Sequence, residues 1–159
     1  MSVSQLAAQS YEASVKGAYR PGVATDLAGA WNIFTITGGP IIMTELWGHV
    51  TTIIANAAVP ILTFVTTLGA VAAATATIMV TLNTDAPGTV YTWSGALAGV
   101  PGPAAALGMA AAGETTMAGN YCIFVPGTLY FTNAVAATGI IDWYMNYIPC
   151  VPGALVTPA

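Results

Sequence analysis

The chain reads as an all-β protein: an antiparallel β-sandwich or barrel of jelly-roll type, preceded by an N-terminal arm or a short helix. Two observations predict this. Pro-Gly occurs five times, at 21–22, 87–88, 101–102, 126–127 and 152–153. Proline presets φ for the first central turn position and glycine accepts the positive φ of the second, so each pair spells a type II turn. Between these turns lie short runs rich in β-branched and aromatic residues, the side chains that suit a pleated, half-buried surface.

The first residues differ from the rest. Ser2 with Gln5 resembles a capping box, Glu12 and Lys16 stand four apart, and Gly17 can end a helix. This spacing predicts a short helix over 3–16. A helix of that length is marginal alone in water, so residues 1–29 are expected to form an arm docked on a neighbour. "MSVSQLAAQSYEASVKG" has neither a basic start nor an apolar core, so no secretory leader is expected.

Residues 30–159 are expected to form a single β domain. Its candidate strands are 31–37, 41–54, 61–68, 76–82, 89–94, 120–125, 128–135 and 139–148. In the last, Ile141, Trp143, Met145 and Tyr147 alternate with Asp142, Tyr144 and Asn146, giving one apolar and one mixed face. Over 40–54 a four-residue recurrence (Ile42, Leu46, Val50, Ile54) competes with the strand signal, and the β-branched tail favours strand. Gly38-Gly39-Pro40 should separate two strands, and "YCIFVPGTLYF" suggests a hairpin or tight turn. Residues 95–113 are an Ala/Gly/Pro tract without the bulky side chains a core needs, which predicts a long loop.

Composition narrows the function. The chain of 159 residues is 56% apolar and 5% charged, against about 25% charged in an ordinary soluble domain. Lys16 and Arg20 are its basic residues, set against six acids for a net charge of −4. Nucleic acid and anionic membrane surfaces both demand clustered Lys and Arg, so neither is an expected partner. The uncharged run 50–84 exceeds the roughly 20 residues of a spanning helix. It is broken by Asn56, Pro60 and Gly69 and rich in threonine, and no basic loop could orient it. A small hydrophobic membrane protein is therefore the weaker reading.

No catalytic or metal constellation emerges. His49 is the lone histidine, and four of five serines fall in the first fourteen residues. Cys122 and Cys150 match no zinc spacing and read as small buried hydrophobes rather than a disulfide framework. A Cys–His49 pair is formally available. No enzyme activity, metal or cofactor is expected.

Residues 32–52, "NIFTITGGPIIMTELWGHVTT", and 139–159, "GIIDWYMNYIPCVPGALVTPA", resemble small proteins of tailed bacteriophages. The shared pattern is an aromatic-T-aliphatic-T-G-G-P stretch, then L-x-G-x-V-T-T, and at the end Y-x-P followed by P-G-A-x-V-T. Glu45 and His49 depart from it in charge. The resemblance implies a virion structural protein, a head decoration (cement) protein. It would be a β-rich homotrimer on the capsid exterior that clamps neighbouring copies of the major capsid protein. Trp31, Phe34, Trp47, His49, Trp143 and Tyr144 would then be protein-interface residues, with Trp31, Phe34 and Trp47 as core or subunit-interface anchors, and Lys16, Tyr19 and Arg20 would anchor the arm to the shell. Deleting residues 2–20 would weaken attachment and leave the β domain folded. A tail or fibre subunit is the alternative within the virion.

Overall fold

The computed structural model describes residues 15–56, 61–67, 74–78, 82, 84–93, 114–117, 121–133 and 136–159. They form two antiparallel sheets that pack face to face without closing into a barrel. The strands are β1 (Lys16–Arg20), β2 (Ala30–Thr37), β3 (Ile41–Ala55), β4 (Ile61–Thr66), β5 (Ala74–Ile78), β6 (Val90–Trp93), β7 (Glu114–Met117), β8 (Tyr121–Phe124), β9 (Gly127–Thr132), β10 (Thr138–Pro149) and β11 (Leu155–Pro158). A 3-10 turn at Asp26–Ala28 links β1 to β2.

The first sheet runs β1-β10-β3-β8-β7, with β6 also on β3. The fifteen-residue β3 organises it. β10 pairs along one edge of β3, while β8 and β6 share the other, at 41–43 and 46–49 respectively. The second sheet runs β11-β2-β9-β4-β5.

The inner faces build the core. Ile41, Met43, Leu46, Val50, Ile141, Trp143, Met145 and Tyr147 from the first sheet meet Trp31, Ile33, Phe34, Ile36, Phe64, Leu129 and Phe131 from the second. Aromatic rings bridge the layers. Phe131 of the second sheet lies 4.7 Å from Trp143 of the first, and Phe64 lies 4.9 Å from Phe124; within the second sheet Phe131 lies 5.3 Å from its cross-strand partner Trp31, all tilted, the geometry that ring quadrupoles favour. The alternation expected for 139–148 is what β10 displays, buried and half-buried in turn.

Several elements differ from the expectation. Lys16–Arg20 is neither helix nor free arm but an edge strand. It pairs with β10 from Lys16 opposite Tyr147 to Arg20 opposite Trp143. The first fourteen residues, most of the predicted helix, lie outside the described residues. Strands β7 and β11 also join those read from the sequence. Pro126-Gly127 is not a hairpin: β8 belongs to the first sheet and β9 to the second, so the chain changes sheet there. Gly127 is needed for space, since a Cβ would sit 2.3 Å from the Val65 carbonyl oxygen. Gly88 (φ 97°) and Gly153 (φ 87°) adopt the positive φ expected of Pro-Gly turns, whereas Gly22 and Gly127 do not. Pro101-Gly102 and the tract 95–113 lie outside the described residues.

The Gly38-Gly39-Pro40 corner carries β2 into β3, again between sheets. Gly38 has φ 73°, and a Cβ there would meet the Gly153 carbonyl oxygen at 2.0 Å. Cys150 N–H donates to the Pro40 carbonyl at 3.0 Å. The two corners are thus pressed together.

Candidate functional site: the outer face of the first sheet

The six aromatic and polar residues expected at an interface divide into two groups. Trp31, Phe34 and Trp143 point inward and are buried in the core. They fill the space between the sheets, so their role in this chain is packing. Trp47, His49 and Tyr144 stand on the outer face, half-buried. The split follows strand parity. Trp47 shares its face with Glu45 and His49, and Tyr144 shares its face with Asp142 and Asn146. Trp143 alternates to the inside.

Cross-strand register brings the outer group together. Tyr19 on β1, Tyr144 on β10, Trp47 on β3 and Thr92 on β6 lie in one row across four strands. Trp47 stacks on Tyr144 with centroids 3.9 Å apart and planes 7° from parallel. Tyr19 lies against the other side of Tyr144 at 4.8 Å, tilted by 32°. Tyr19, assigned to the arm by its position in sequence, is therefore part of this ladder and is 47% exposed.

Polar side chains border the rings. Tyr19 donates its hydroxyl to Asp142 Oδ2 at 3.0 Å, and Gly22 N–H donates to Asp142 Oδ1 at 2.8 Å. The hydrogen bond to Asp142 is the main cause that raises the Tyr19 phenol above its ordinary pKa. Asn146 Nδ2 donates to Glu45 Oε2 at 2.7 Å. His49 stands opposite Asp142 in the register. Exposed Val90 and Ile53 extend the face beyond the ladder.

The other arm residues part company with Tyr19. Arg20 is buried, and its guanidinium takes Asp26 through Nη1–Oδ2 at 2.6 Å and Nη2–Oδ1 at 2.9 Å. Burial and this pairing remove Arg20 from any external contact. Lys16 is half-buried at the start of β1.

Among the described residues no three of His, Cys, Asp and Glu gather where a metal ion could sit. Cys150 is exposed rather than a buried hydrophobe, and unbridged. It follows Pro149, which pairs with Ile41, while His49 pairs with Asp142 far along the same ladder. At a strand rise of roughly 3.3 Å per residue the two lie more than about 20 Å apart, which excludes a Cys150–His49 pair. The five serines lie outside the described residues, and so does the Cys122 side chain.

Among the described residues no helix is long and apolar enough to cross a membrane, and strands occupy most of the described parts of 50–84. No family model matches the chain, and neither a curated protein nor a solved structure matches it.

Proposed function

We propose that this chain is a non-enzymatic virion structural protein. In this reading it is a head decoration protein of the tailed-phage type, placed on the capsid exterior, where it self-associates and clamps neighbouring copies of the major capsid protein. The observation that carries the reading is the Tyr19–Tyr144–Trp47 stack on the outer face of the first sheet. At a protein contact, tyrosine and tryptophan anchors inside a polar rim supply most of the binding energy. Here Asp142, Glu45, Asn146 and His49 form that rim.

Sparse charge supports the same reading, since surface covered by other chains needs no charge to stay soluble. The resemblance at 32–52 and 139–159 supplies the identity of the partner, the shell, and a homotrimer as the form of self-association. The test is co-sedimentation of the purified chain with undecorated heads. Saturable attachment at a fixed copy number supports the reading. Absence from heads, with retention on tails or fibres, overturns it in favour of a tail or fibre subunit.

A further inference from the structure

Two carboxylates on the outer face of the first sheet have no cation to meet them. The register sets Asn146 against Glu45, Tyr144 against Trp47, and Asp142 against His49. Glu45 and Asp142 therefore flank the ring row, one on each side, at a spacing of two residues or about 7 Å along the strand. The single ion pair among the described residues is Arg20–Asp26, and it is buried. His49 forms none with Asp142. Lys16 shares its strand parity with Ala18 and Arg20, opposite to Tyr19, so neither basic residue of the chain stands on this face.

Neutral donors hold the two carboxylates in place. Asp142 accepts the Tyr19 hydroxyl and the Gly22 N–H, and Glu45 accepts the Asn146 amide. These bonds orient the charges without cancelling them. The rings add to the same potential, because an aromatic face is negative and indole draws cations best. Tyr144 covers one face of Trp47, with planes 7° from parallel. No other ring among the described residues covers the second face.

We infer that the Trp47–Tyr144 stack, bracketed by Glu45 and Asp142, receives an arginine side chain of the partner protein. This deepens the docking role proposed for the ladder, and the identity of the partner as the shell rests on that reading. A guanidinium is planar and weakly hydrated, stacks on aromatic faces and hydrogen-bonds carboxylates, so ring and acids serve one group. An apolar side chain would desolvate the two carboxylates without pairing them, and an acidic one would meet like charge.

The test reads the Trp47 indole N–H resonance of the full chain, assigned with Trp47→Phe, during titration with acetyl-Gly-Arg-Gly-amide. The control peptide carries citrulline, the uncharged isostere, in place of arginine. The arginine peptide should move the resonance saturably in the millimolar range, and the citrulline peptide should leave it in place. Glu45→Gln and Asp142→Asn keep an acceptor at each position and should each weaken the response roughly two- to fivefold. Glu45 is exposed, so its variant serves if loss of the Asp142 charge disturbs folding. On undecorated heads, wild-type attachment should weaken between about 0.1 and 1 M salt, as the screening length falls from about 10 to 3 Å. Glu45→Gln should flatten that dependence. An unmoved resonance, an equal response to citrulline, or Glu45→Gln attaching like the wild type at every salt concentration would overturn the inference. A wild type that answers the arginine peptide yet stays off heads would uphold it and overturn the decoration reading instead.

Discussion

Arg20 holds Asp26 through two parallel hydrogen bonds, and both residues are buried. The pair does more than neutralise charge. Asp26 Oδ2 also accepts the Val23 N–H at 3.0 Å, and Arg20 Nε donates to the Ala159 carbonyl at 3.0 Å. One guanidinium thereby ties β1, the 3-10 turn and the segment after β11. Removing one partner leaves a buried charge alone, so Asp26→Ala should destabilise the fold by about 3–5 kcal/mol, read by urea denaturation. A loss below about 1 kcal/mol would place the pair in solvent.

Because β1 is part of the first sheet, deletion of residues 2–20 has a different expected outcome from the one the sequence suggests. Removing the segment strips an edge strand from β10 and leaves Asp26 buried without its arginine. The truncated chain should lose its cooperative unfolding transition, observable by circular dichroism on heating. A truncated chain that melts like the intact one would contradict the role given to β1.

Trp47 and Trp143 should respond oppositely to alanine. Trp143 is in the core, and Trp143→Ala should lose about 3–5 kcal/mol of folding stability. Trp47 is half-buried on the outer face, and its stack on Tyr144 contributes about 0.5–1.5 kcal/mol beyond the area it buries. Trp47→Ala should therefore fold, with its main deficit in attachment. Paired urea titrations separate the two, and equal losses would contradict the inside–outside division.

Gly127→Ala tests the sheet-changing corner. The new methyl would collide with the Val65 carbonyl oxygen and the Phe64 ring, so the backbone of β9 or β4 must shift. The expected cost is about 1–3 kcal/mol, read as a lowered urea midpoint. A neutral substitution would show that the corner is looser than this packing.

Tyr91 links stability to alkaline pH. Its hydroxyl donates to Asp85 Oδ2 at 2.5 Å. Burial first, then this bond and the Asp85 charge, push the phenol well above its ordinary value near 10. The folded state thus holds the proton more tightly than the unfolded chain does. The contribution is complete below about pH 10 and is lost as pH rises through the folded value. Tyr91→Phe should cost about 1 kcal/mol at neutral pH and fall less steeply above pH 10. An unchanged alkaline slope in the variant would remove Tyr91 as the cause.

The sandwich was legible because its strong strands carry their own signal. In β10 the parity of Ile141, Trp143, Met145 and Tyr147 declares a buried face without any knowledge of partners. Parity also assigns Trp47 to the face of Glu45 and His49, a cue available in the sequence beside its reading as a core anchor. What stayed hidden depends on distant pairing. β1, "KGAYR", is short and carries a glycine and two charges, and it becomes a strand because β10 offers it an edge. The irregularity between Asn32 and Phe34 buries Ile33 and Phe34 together, which simple alternation cannot foresee. Tyr19 joins the ladder only through a register linking residues 125 apart in the chain.

The most direct measurement is attachment to undecorated heads, compared at equal concentration for the wild type, Trp47→Ala and Tyr144→Ala. If the aromatic ladder is the docking surface, the wild type saturates the heads. Both variants, with wild-type far-ultraviolet spectra, then bind at least about tenfold more weakly, as loss of a central aromatic anchor entails. Undiminished attachment by both variants, or no attachment by the wild type, would contradict it.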